Sequence, residues 1–431
     1  MRPGARLAAA IEILDEILKR HRPAAQALTD WGKAHRFAGS SDRAAIGNLV
    51  YDALRRRLSL AAQMGADNAR ALVLAAAPSA LALTPDAVSA AADGSAHALE
   101  PLSDDEAAAL RQGLPPDTPH FIRGDFPEWL APSFARAFGD RTGDEGAALA
   151  RRAPVDVRAN LLKADREKVL KALAKYGAAP TPYSPVGVRL PAPAGPGRTP
   201  NVEAEAGHGK GWYEVQDEGS QVAAALAGAA PRLQVLDLCA GAGGKTLALA
   251  ATMHNTGQIY AYDSDRAQLR PIFERLKRAG VRNAQVLPGG DEAGLLALGS
   301  RFDVVLVDAP CTGSGVWRRR PDSKWRVKPQ NLVDRIAEQR GALVLARKLV
   351  KPGGRLVYVT CSVLPEENTD QVAWFVREAP QFSLQPYRQR WAESIGGEPP
   401  DSADNRDDAL LLTPACHGTD GFYVACLVHR G

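Results

Sequence analysis

The sequence predicts an α/β protein with a doubly wound, parallel sheet, preceded by a small α/β subdomain and an all-helical N-terminal domain. After residue 220, short apolar runs such as "LQVLDL", "QIYAYD" and "FDVVLVD" alternate with helical stretches. Apolar strands that alternate with helices are typical of a parallel sheet covered on both faces. The first third of the chain has only helix-period apolar patterns. Near residue 155 the pattern changes from helix-period apolar spacing to strand-like and helical stretches in turn, and this change separates the two regions.

The N-terminal region is predicted to be helical because its apolar residues recur at steps of three and four. Residues 5–20 place Leu7, Ile11, Leu14 and Leu18 on one face, and residues 40–60 repeat the pattern. Alanine-rich helical sequence continues to about residue 110. We therefore predict a helical domain over residues 1–125.

The middle of the chain predicts a smaller α/β subdomain over 126–214 and the main domain over 215–431. "VDVRANLL" reads as a strand, and "DREKVLKALAKYG" reads as a helix that ends at Gly177. Residues 191–211 are rich in proline and glycine and are predicted to form a long loop or linker that is either mobile or functional.

Composition excludes several classes of protein. The five cysteines are odd in number and spread widely, with no C-x-x-C, which argues against a disulfide framework or a zinc site, and no metal is predicted. A net charge of +4 is compatible with a nucleic-acid partner but does not require one. No membrane-spanning segment or signal peptide is evident, so we expect a cytoplasmic protein with no membrane partner. We also expect it to be a monomer.

A glycine-rich loop, "LCAGAGGKT", follows the first apolar strand of the main domain and opens a helix. Glycines at this place let backbone N–H groups approach a ligand. A phosphate-binding loop requires a glycine five residues before Gly244, where Cys239 stands. A dinucleotide-binding loop requires G-x-G-x-x-G; Gly241 and Gly243 match, but Thr246 occupies the last position.

An S-adenosylmethionine site is the third interpretation of this loop. It needs an acidic residue that closes the first strand and a carboxylate that ends the second strand for the ribose hydroxyls. Asp237 and Asp263 supply these groups. The loop alone does not separate this interpretation from an ordinary α/β turn, because strand-end aspartates and glycine turns are common in this fold class.

Two cysteines follow predicted strand ends on the side where doubly wound sheets bind ligands. "DAPC" ends at Cys311, three residues after Asp308, and "TCS" contains Cys361. A thiolate that adds to carbon 6 of cytosine makes carbon 5 able to attack an activated methyl group. A nearby carboxyl group would stabilise the adduct through the ring N3 or the exocyclic amine. A lone cysteine is more often a small packed residue, but two at neighbouring strand ends favour chemistry.

Four segments, in order and spacing, resemble the Sun/RsmB family of ribosomal-RNA cytosine-5 methyltransferases: "DLCAGAGGKT", "FDVVLVDAPCTGSGVWRRRPDSKWR", "LVYVTCSVLPEEN" and "DGFYVACLVHR". "VRANLLKADREKVLKAL" is similar to the small RNA-binding-like subdomain of that family, and "GSSDRAAIGNLVYDALRRR" is similar to a NusB-type helical RNA-binding module. The resemblance implies a Rossmann-like S-adenosylmethionine-dependent methyltransferase whose partner is RNA, in particular ribosomal RNA.

The resemblance also implies roles for individual residues. Cys361 would be the nucleophile, Cys311 would assist release of the methylated product, and Asp308 would lie near the cytosine. Gly241-Ala242 stands where the family commonly has Ala-Pro. The residues that would contact the cofactor are Cys239, Ala240, Gly241, Ala242, Gly243, Gly244, Lys245, Asp263, Asp291 and Asp308.

A basic run directly follows the D-A-P-C motif. It interleaves Trp317 and Trp325 with cations. Because an RNA strand must pass this edge of the sheet to present its base, we expect guanidinium groups that hold phosphates and an exposed tryptophan that stacks on a base. The predicted RNA-binding residues are Arg318, Arg319, Arg320, Lys324 and Arg326.

Two alternatives differ in class. A DNA cytosine-5 methyltransferase would share the chemistry, but it would use the P-C cysteine as nucleophile and follow it with an E-N-V-type motif, which the sequence lacks. A non-catalytic RNA-binding or assembly factor could keep the fold. The pair Cys311 and Cys361 argues against that alternative, because a protein without catalysis needs neither thiol.

Overall fold

The computed structural model describes residues 1–431 and divides into two compact units. The helical unit comprises residues 1–153, 192–199 and 317–327. The sheet unit comprises the remaining residues, 154–191, 200–316 and 328–431. The predicted division at residues 125 and 214 stays a prediction.

The helical unit packs around apolar faces of its longest helices, where Leu7, Leu14, Ile46 and Leu72 are buried. The predicted helix over 40–60 is two helices. Its helices are α1 (Pro3–Arg20), α2 (Ala24–Ala34), α3 (Ser40–Arg55), α4 (Arg57–Met64), α5 (Ala69–Leu81), α6 (Pro85–Ala91), α7 (Asp104–Gln112), α8 (His120–Arg123), α9 (Ala131–Phe138) and α10 (Thr142–Leu149).

A distant carboxylate accounts for the break after α3. Arg56 leaves α-helical geometry, with φ −117° and ψ 32°. Buried Asp125 then accepts hydrogen bonds from the backbone N–H and the hydroxyl of Ser59, so the first turn of α4 has a partner that a continuous helix could not reach. No single helix is long and apolar enough to span a membrane; α5 and α6 reach that length and composition only as a pair bent by 120°.

The sheet unit begins with a small antiparallel sheet of order β2-β3-β1-β4. The predicted strand and the predicted helix ending at Gly177 are confirmed, and Gly177 has the left-handed φ of 71° that favours glycine. The elements are β1 (Val155–Ala159), α11 (Arg166–Leu173), β2 (Ala179–Pro180), β3 (Gly187–Leu190), α12 (Ala206–Gly209) and β4 (Tyr213–Val215).

A larger, eight-stranded sheet follows, of order β10-β12-β9-β8-β5-β6-β7, with β11 paired to β12. Its elements are α13 (Glu218–Leu226), β5 (Gln234–Asp237), α14 (Gly244–Thr252), β6 (Gln258–Ala261), α15 (Ile272–Ala279), β7 (Ala284–Val286), α16 (Glu292–Leu296), β8 (Phe302–Asp308), α17 (Pro321–Lys324, within the helical unit), α18 (Pro329–Ala346), β9 (Val350–Thr360), α19 (Thr369–Glu378), β10 (Phe382–Gln385), α20 (Tyr387–Ser394), β11 (Leu410–Leu412), α21 (Pro414–His417) and β12 (Phe422–His429).

The doubly wound sheet is confirmed for β5 to β9, which pair in parallel, but the sheet is mixed. Strands β10, β11 and β12 join it through antiparallel pairs, with β12 against β9. The sequence did not separate these strands from the parallel ones, because β12 is buried along most of its length and therefore has no alternating pattern.

Glu214 on β4 links the small sheet to the glycine loop of the large one. Its carboxylate accepts from Arg275 Nη2 at 3.2 Å and from Arg278 Nη2 at 2.7 Å, both guanidinium groups belonging to α15. Arg275 Nη1 also donates to the carbonyl oxygen of Ala242 at 2.9 Å. The Glu214 side chain is almost completely buried. One carboxylate therefore holds α15 and, through Arg275, the loop.

We expect Glu214→Ala to lower the free energy of unfolding by about 3 kcal/mol, because two largely buried guanidinium groups lose their acceptor. Urea unfolding followed by circular dichroism measures this loss. Glu274→Ala on the same helix removes an exposed carboxylate and serves as the matched control. Equal, small losses in the two variants would contradict a structural role for Glu214.

Candidate active site

The glycine loop between β5 and α14 requires glycine at two positions. Gly243 has φ +82°, and a Cβ atom there would lie 2.4 Å from Ile272 Cγ1. Gly241 has φ +50°, and its N–H donates to Asp263 Oδ2 at 2.9 Å. A Cβ atom on Gly241 would lie 3.8 Å from Gln268 Oε1 and 4.0 Å from Asp263 Oδ2, which is ordinary van der Waals contact, so no protein atom crowds the backbone at this position. A ligand can therefore approach this backbone closely.

Asp263 follows β6 and holds the loop from its other side. Its second oxygen, Oδ1, accepts from the N–H of Asp265 at 2.9 Å. A carboxylate has about four acceptor positions, so two backbone bonds leave capacity for hydroxyl groups of a ligand. The geometry agrees with the ribose-binding role predicted for Asp263.

Asp237, at the end of β5, carries a buried oxygen that has no protein partner. Oδ2 accepts from Thr246 Oγ1 at 2.6 Å, whereas Oδ1 is buried and unpaired. Burial raises the pKa of Asp237 to about 7. An unpaired buried acceptor is costly, and a ligand that donates to it would remove the cost.

Asp308, at the end of β8, forms an ion pair with the lysine of the glycine loop. Lys245 Nζ donates to Asp308 Oδ2 at 2.7 Å. The lysine is buried, whereas the aspartate side chain remains one-third exposed. Lys245 is thus the counter-ion of Asp308, and the carboxylate keeps one oxygen for a further partner.

The two predicted thiols lie together. Parallel pairing places Asp308 beside Val359, and the chain then leads to Cys311 on one strand and to Cys361 on the next. The Cys311 Sγ and Cys361 Sγ atoms are 3.3 Å apart, within hydrogen-bond distance for sulfur. The hydrogen bond with Cys361, followed by burial, raises the pKa of Cys311 well above its usual value. Cys311 therefore keeps its proton at neutral pH, and either thiol can donate the hydrogen bond between the two sulfur atoms.

Glu367 fixes the loop that carries Cys311. Its carboxylate accepts from the N–H of Thr312 at 2.8 Å and from the Thr312 hydroxyl at 2.6 Å. Gln339 Nε2 donates both to Glu367 Oε1 and to the carbonyl oxygen of Pro310. Glu367 is completely buried, and burial raises the pKa of its carboxyl group. The residues on both sides of Cys311 are therefore held by one buried pair.

Two other predicted cofactor residues have structural partners. Asp291 Oδ1 caps α16 by accepting from the N–H of Gly294 at 2.9 Å, so its cofactor contact stays a prediction. Cys239 lies in the loop, and burial raises the pKa of its thiol well above the usual value. Because a protonated thiol is a poor nucleophile, Cys239 is suited to packing rather than to attack.

The predicted RNA-binding run belongs to the helical unit and is largely packed there. The expectation of exposed tryptophans is wrong: Trp317 is 1% exposed and stacks on Phe134 with ring centroids 6.1 Å apart. Trp325 is half-buried and donates to the carbonyl oxygen of Leu54 at 2.6 Å. Aromatic burial outweighs the charge of the run, since each large ring contributes more on burial than an exposed ion pair does.

The cations of the run divide into two groups. Lys324 is 1% exposed, donates to the carbonyl oxygen of Arg55 at 2.7 Å, and has a pKa lowered to about 8 by burial, so its predicted role on RNA is wrong. Arg318 is 4% exposed, which removes the surface that a phosphate ligand needs. RNA contact by the exposed Arg319, Arg320 and Arg326 stays a prediction; Arg326 pairs with Asp322 at 3.1 Å.

Sequence reasoning missed Glu367 and Gln339. Glu367 stands in the quoted "PEEN" segment, six residues after Cys361, and two adjacent glutamates beside a strand end were a usable signal. Gln339 is a polar residue on a long helix with no distinguishing local pattern, so only its contact with Pro310 and Glu367 reveals it.

Together, the mixed sheet, the open glycine loop, the strand-end carboxylates and the paired thiols define an S-adenosylmethionine-dependent methyltransferase. Two family models match the chain. Residues 225–428 match the model of the 16S rRNA methyltransferase RsmB/F, and residues 126–195 match the ferredoxin-like domain of RsmF/B-like methyltransferases. The chain belongs to the RsmB/F family.

Similar proteins agree with this assignment. A probable ribosomal RNA small subunit methyltransferase B from Synechocystis is 31% identical over 306 residues, which are 70% of this chain and 66% of that relative. The crystal structure of PH0851 is 25% identical with a TM-score of 0.73 and covers 99% of both chains. A methyltransferase homolog from Pyrococcus horikoshii is 28% identical with a TM-score of 0.58, over 72% of this chain and 97% of its own.

The cofactor of the chain is S-adenosylmethionine, and the residues present fit it. Asp263 retains acceptor capacity, the backbone at Gly241 is not crowded by protein atoms, and Asp237 Oδ1 is a buried acceptor without a partner. These three features give the hydroxyl and amino groups of such a ligand hydrogen-bond partners.

Asp263→Ala is expected to weaken S-adenosylmethionine binding by about 1.5–3 kcal/mol, the range for hydrogen bonds to a charged group. Isothermal titration calorimetry on the folded variant measures the change. Asp265→Ala, two residues along the same loop, removes an exposed carboxylate and is the control. An unchanged affinity in Asp263→Ala would remove this residue from the cofactor site.

Glu367→Ala should free the Cys311 loop and expose the thiol, which lowers its pKa towards the usual value. We expect alkylation of Cys311 by iodoacetamide to become about tenfold faster, since a tenfold larger thiolate fraction accompanies each unit by which the pKa falls. Mass spectrometry of the peptide that contains Cys311 measures the rate of alkylation. Glu367→Gln keeps a similar shape and an acceptor oxygen and should stay near the wild-type rate. Equal rates in all three proteins would refute the positioning role.

Proposed function

We propose that the protein methylates carbon 5 of a cytosine in ribosomal RNA, with Cys361 as nucleophile and Cys311 as the residue that assists product release. The 3.3 Å approach of the two thiols carries the proposal. Two free cysteines held side by side next to a carboxylate suit an addition–elimination reaction at an aromatic carbon.

The reaction begins with addition of sulfur to the ring and ends with its elimination. The Cys361 thiolate forms a bond to carbon 6, and carbon 5 becomes nucleophilic enough to form a bond to a methyl group. When bound, S-adenosylmethionine would supply that methyl group from its sulfonium sulfur, and the methyl–sulfur bond would break to leave the neutral thioether S-adenosylhomocysteine. The carbon-5 proton then leaves to a base, the carbon 5–carbon 6 double bond re-forms, and the bond from carbon 6 to sulfur breaks. Cys361 returns as a thiolate.

The contact between the two sulfur atoms is compatible with this division of roles. A thiol that keeps its proton is a poor attacking group, but it can stabilise a neighbouring thiolate by donating a hydrogen bond. When Cys361 leaves carbon 6, negative charge returns to its sulfur atom. Cys311, 3.3 Å away, is placed to stabilise that charge in the leaving group.

Asp308 and Lys245 would bind the cytosine ring. Lys245 donates to one oxygen of Asp308 at the strand end beside the Cys311 loop and does not use the other oxygen. That oxygen can accept from the exocyclic amine or from a protonated N3. A hydrogen bond of this kind strengthens as the ring gains electrons from the thiolate, so it lowers the barrier to addition.

Ribosomal RNA of the small subunit is the substrate we favour, because the matched relatives carry that name. The chain spans 66% of the length of those relatives, so their substrate is carried over as part of the proposal. Action as a cytoplasmic monomer stays a prediction.

The two cysteine variants should fail at different steps. With labelled S-adenosylmethionine and a transcript of small-subunit ribosomal RNA, Cys361→Ala should give neither methylated RNA nor a covalent adduct. Cys311→Ala should stall after attack and leave a protein–RNA complex that survives a denaturing gel. Cys416→Ala removes an exposed cysteine and should behave as wild type.

Two results would overturn the proposal in different ways. A stalled adduct with Cys361→Ala would reverse the roles of the thiols. A wild-type protein that binds the RNA but transfers no label would favour the non-catalytic RNA-binding alternative. Bisulfite sequencing of RNA from cells with and without the protein would identify the modified cytosine.

A further inference from the structure

A positively charged pocket of 580 Å³ lies on the helical unit. No residue of the glycine loop or of the thiol pair lines it. Arg36, Arg43 and Arg198 line it together with small neutral residues, and no acidic residue lines it. We call these three residues the arginine pocket. Arg36 and Arg43 flank the turn from α2 to α3, whereas Arg198 comes from the proline- and glycine-rich segment 191–211.

Long-range hydrogen bonds hold the segment that contributes Arg198. Asn48 Nδ2 on α3 donates to the carbonyl oxygens of Gly195 at 3.2 Å and Gly197 at 3.0 Å. Arg152 Nη1 donates to the carbonyl oxygen of Gly195 at 2.7 Å. This part of the predicted linker is therefore fixed on the helical unit, and its arginine is held beside the other two.

Several arginines of the helical unit form ion pairs with carboxylates, whereas the three charges of the arginine pocket have no acidic partner. Arg6, Arg22, Arg57 and Arg70 each pair with a carboxylate. No carboxylate forms an ion pair with the guanidinium groups of the arginine pocket. Asp42 is close in sequence, but Arg6 and the N-terminal ammonium group already occupy it.

An anion would relieve the repulsion between these three charges. Arg43 Nε donates to the carbonyl oxygen of Ala38 at 2.8 Å, which fixes its side chain and leaves its terminal nitrogens for a ligand. Guanidinium groups bind phosphate oxygens in a bidentate manner, and several arginines that converge on one concave surface are suited to phosphate.

An exposed aromatic residue next to Arg36 favours nucleic acid over a free anion. Phe37 is 73% exposed, the most exposed of the large hydrophobic side chains. Its ring meets His35 edge-on at 5.8 Å, and His35 stacks on Trp31 at 4.3 Å, so the ring has a supported position. Phe37 follows Arg36 directly in the chain, but its ring lines a separate, larger and mainly apolar pocket together with His35 and Trp31. An exposed, supported aromatic ring one residue from a phosphate site suits an unstacked base.

We propose that the arginine pocket binds a backbone phosphate of single-stranded RNA and that Phe37 stacks on a neighbouring base. The identity of this RNA as the substrate rests on the proposed function. The pocket thus provides a second contact with the substrate, on a different unit from the thiol pair. Two of its arginines come from the α2–α3 region, and the third comes from the proline- and glycine-rich segment.

Fluorescence anisotropy with a labelled single-stranded RNA of about twelve nucleotides tests this proposal on the full chain. Arg36→Ala/Arg198→Ala should weaken binding by about tenfold at low salt. The slope of log affinity against log salt should fall by about 0.7 for each phosphate that the variant no longer neutralises. Phe37→Ala should weaken binding by about fivefold and leave the slope unchanged, because stacking carries no charge.

Lys19→Ala/Arg20→Ala is the matched control, since it removes two exposed cations from the same unit. Its salt slope should stay at the wild-type value. Equal losses of RNA affinity in the two double variants would show that only the net charge of the protein matters, and would overturn the proposal that the arginine pocket binds RNA. Arg198→Ala alone, in the linker segment, provides a second variant if the double variant is unstable by thermal denaturation.

The remaining outcomes separate this proposal from the proposed function. Wild-type methyl transfer together with unchanged RNA affinity and slope in Arg36→Ala/Arg198→Ala would overturn the pocket alone. Loss of RNA affinity in that variant, with no methyl transfer by the wild type, would overturn the proposed function alone. Calorimetric binding of inorganic phosphate, abolished in the variant while RNA affinity is kept, would assign the pocket to a free anion and contradict the proposal.

Discussion

Parallel pairing of β8 with β9 is the constraint on which the candidate active site depends. The register that sets Asp308 beside Val359 brings together two loops whose cysteines are fifty positions apart in the chain. Backbone bonds extend beyond the strands: the N–H of Ala309 donates to Val359, and the N–H of Gly315 donates to Cys361. Because successive side chains of a strand alternate between faces, a slip by one residue would turn the strand-end side chains to the opposite face.

Around this pair, the carboxyl group of Glu367 positions the Cys311 loop, whereas Asp308 and Asp263 keep acceptor positions for ligands. Glu367 is completely buried and uses its acceptor positions on the Cys311 loop. Asp308 keeps one oxygen beyond its ion pair with Lys245, and Asp263 keeps capacity beyond two backbone bonds. Burying a carboxyl group costs less free energy when its oxygens are hydrogen-bonded, as both oxygens of Glu367 are.

The small antiparallel sheet is connected to the glycine loop by ion pairs and hydrogen bonds rather than by continuous strand pairing. Glu214 accepts a hydrogen bond from Arg275, and Arg275 also donates to the carbonyl oxygen of Ala242. A single arginine side chain therefore links β4 to the loop. Asn160, just after β1, adds a hydrogen bond to the last carbonyl of α15 at Ala279. The two sheets therefore share α15 as a common support.

The sequence alone determined the features that depend on local pattern. Alternating apolar strands and helices, the glycine turn, and the placement of Cys311 and Cys361 after strands all follow from residues close together in the chain. The sequence did not reveal the antiparallel strands, the hydrogen bond between Gln339 and Glu367, or the burial of Trp317. Each of these features depends on partners 28 or more positions away in the chain. Arg198 joined the helical unit for the same reason: hydrogen bonds from Asn48 and Arg152 decide where its segment lies, and only tertiary structure forms them.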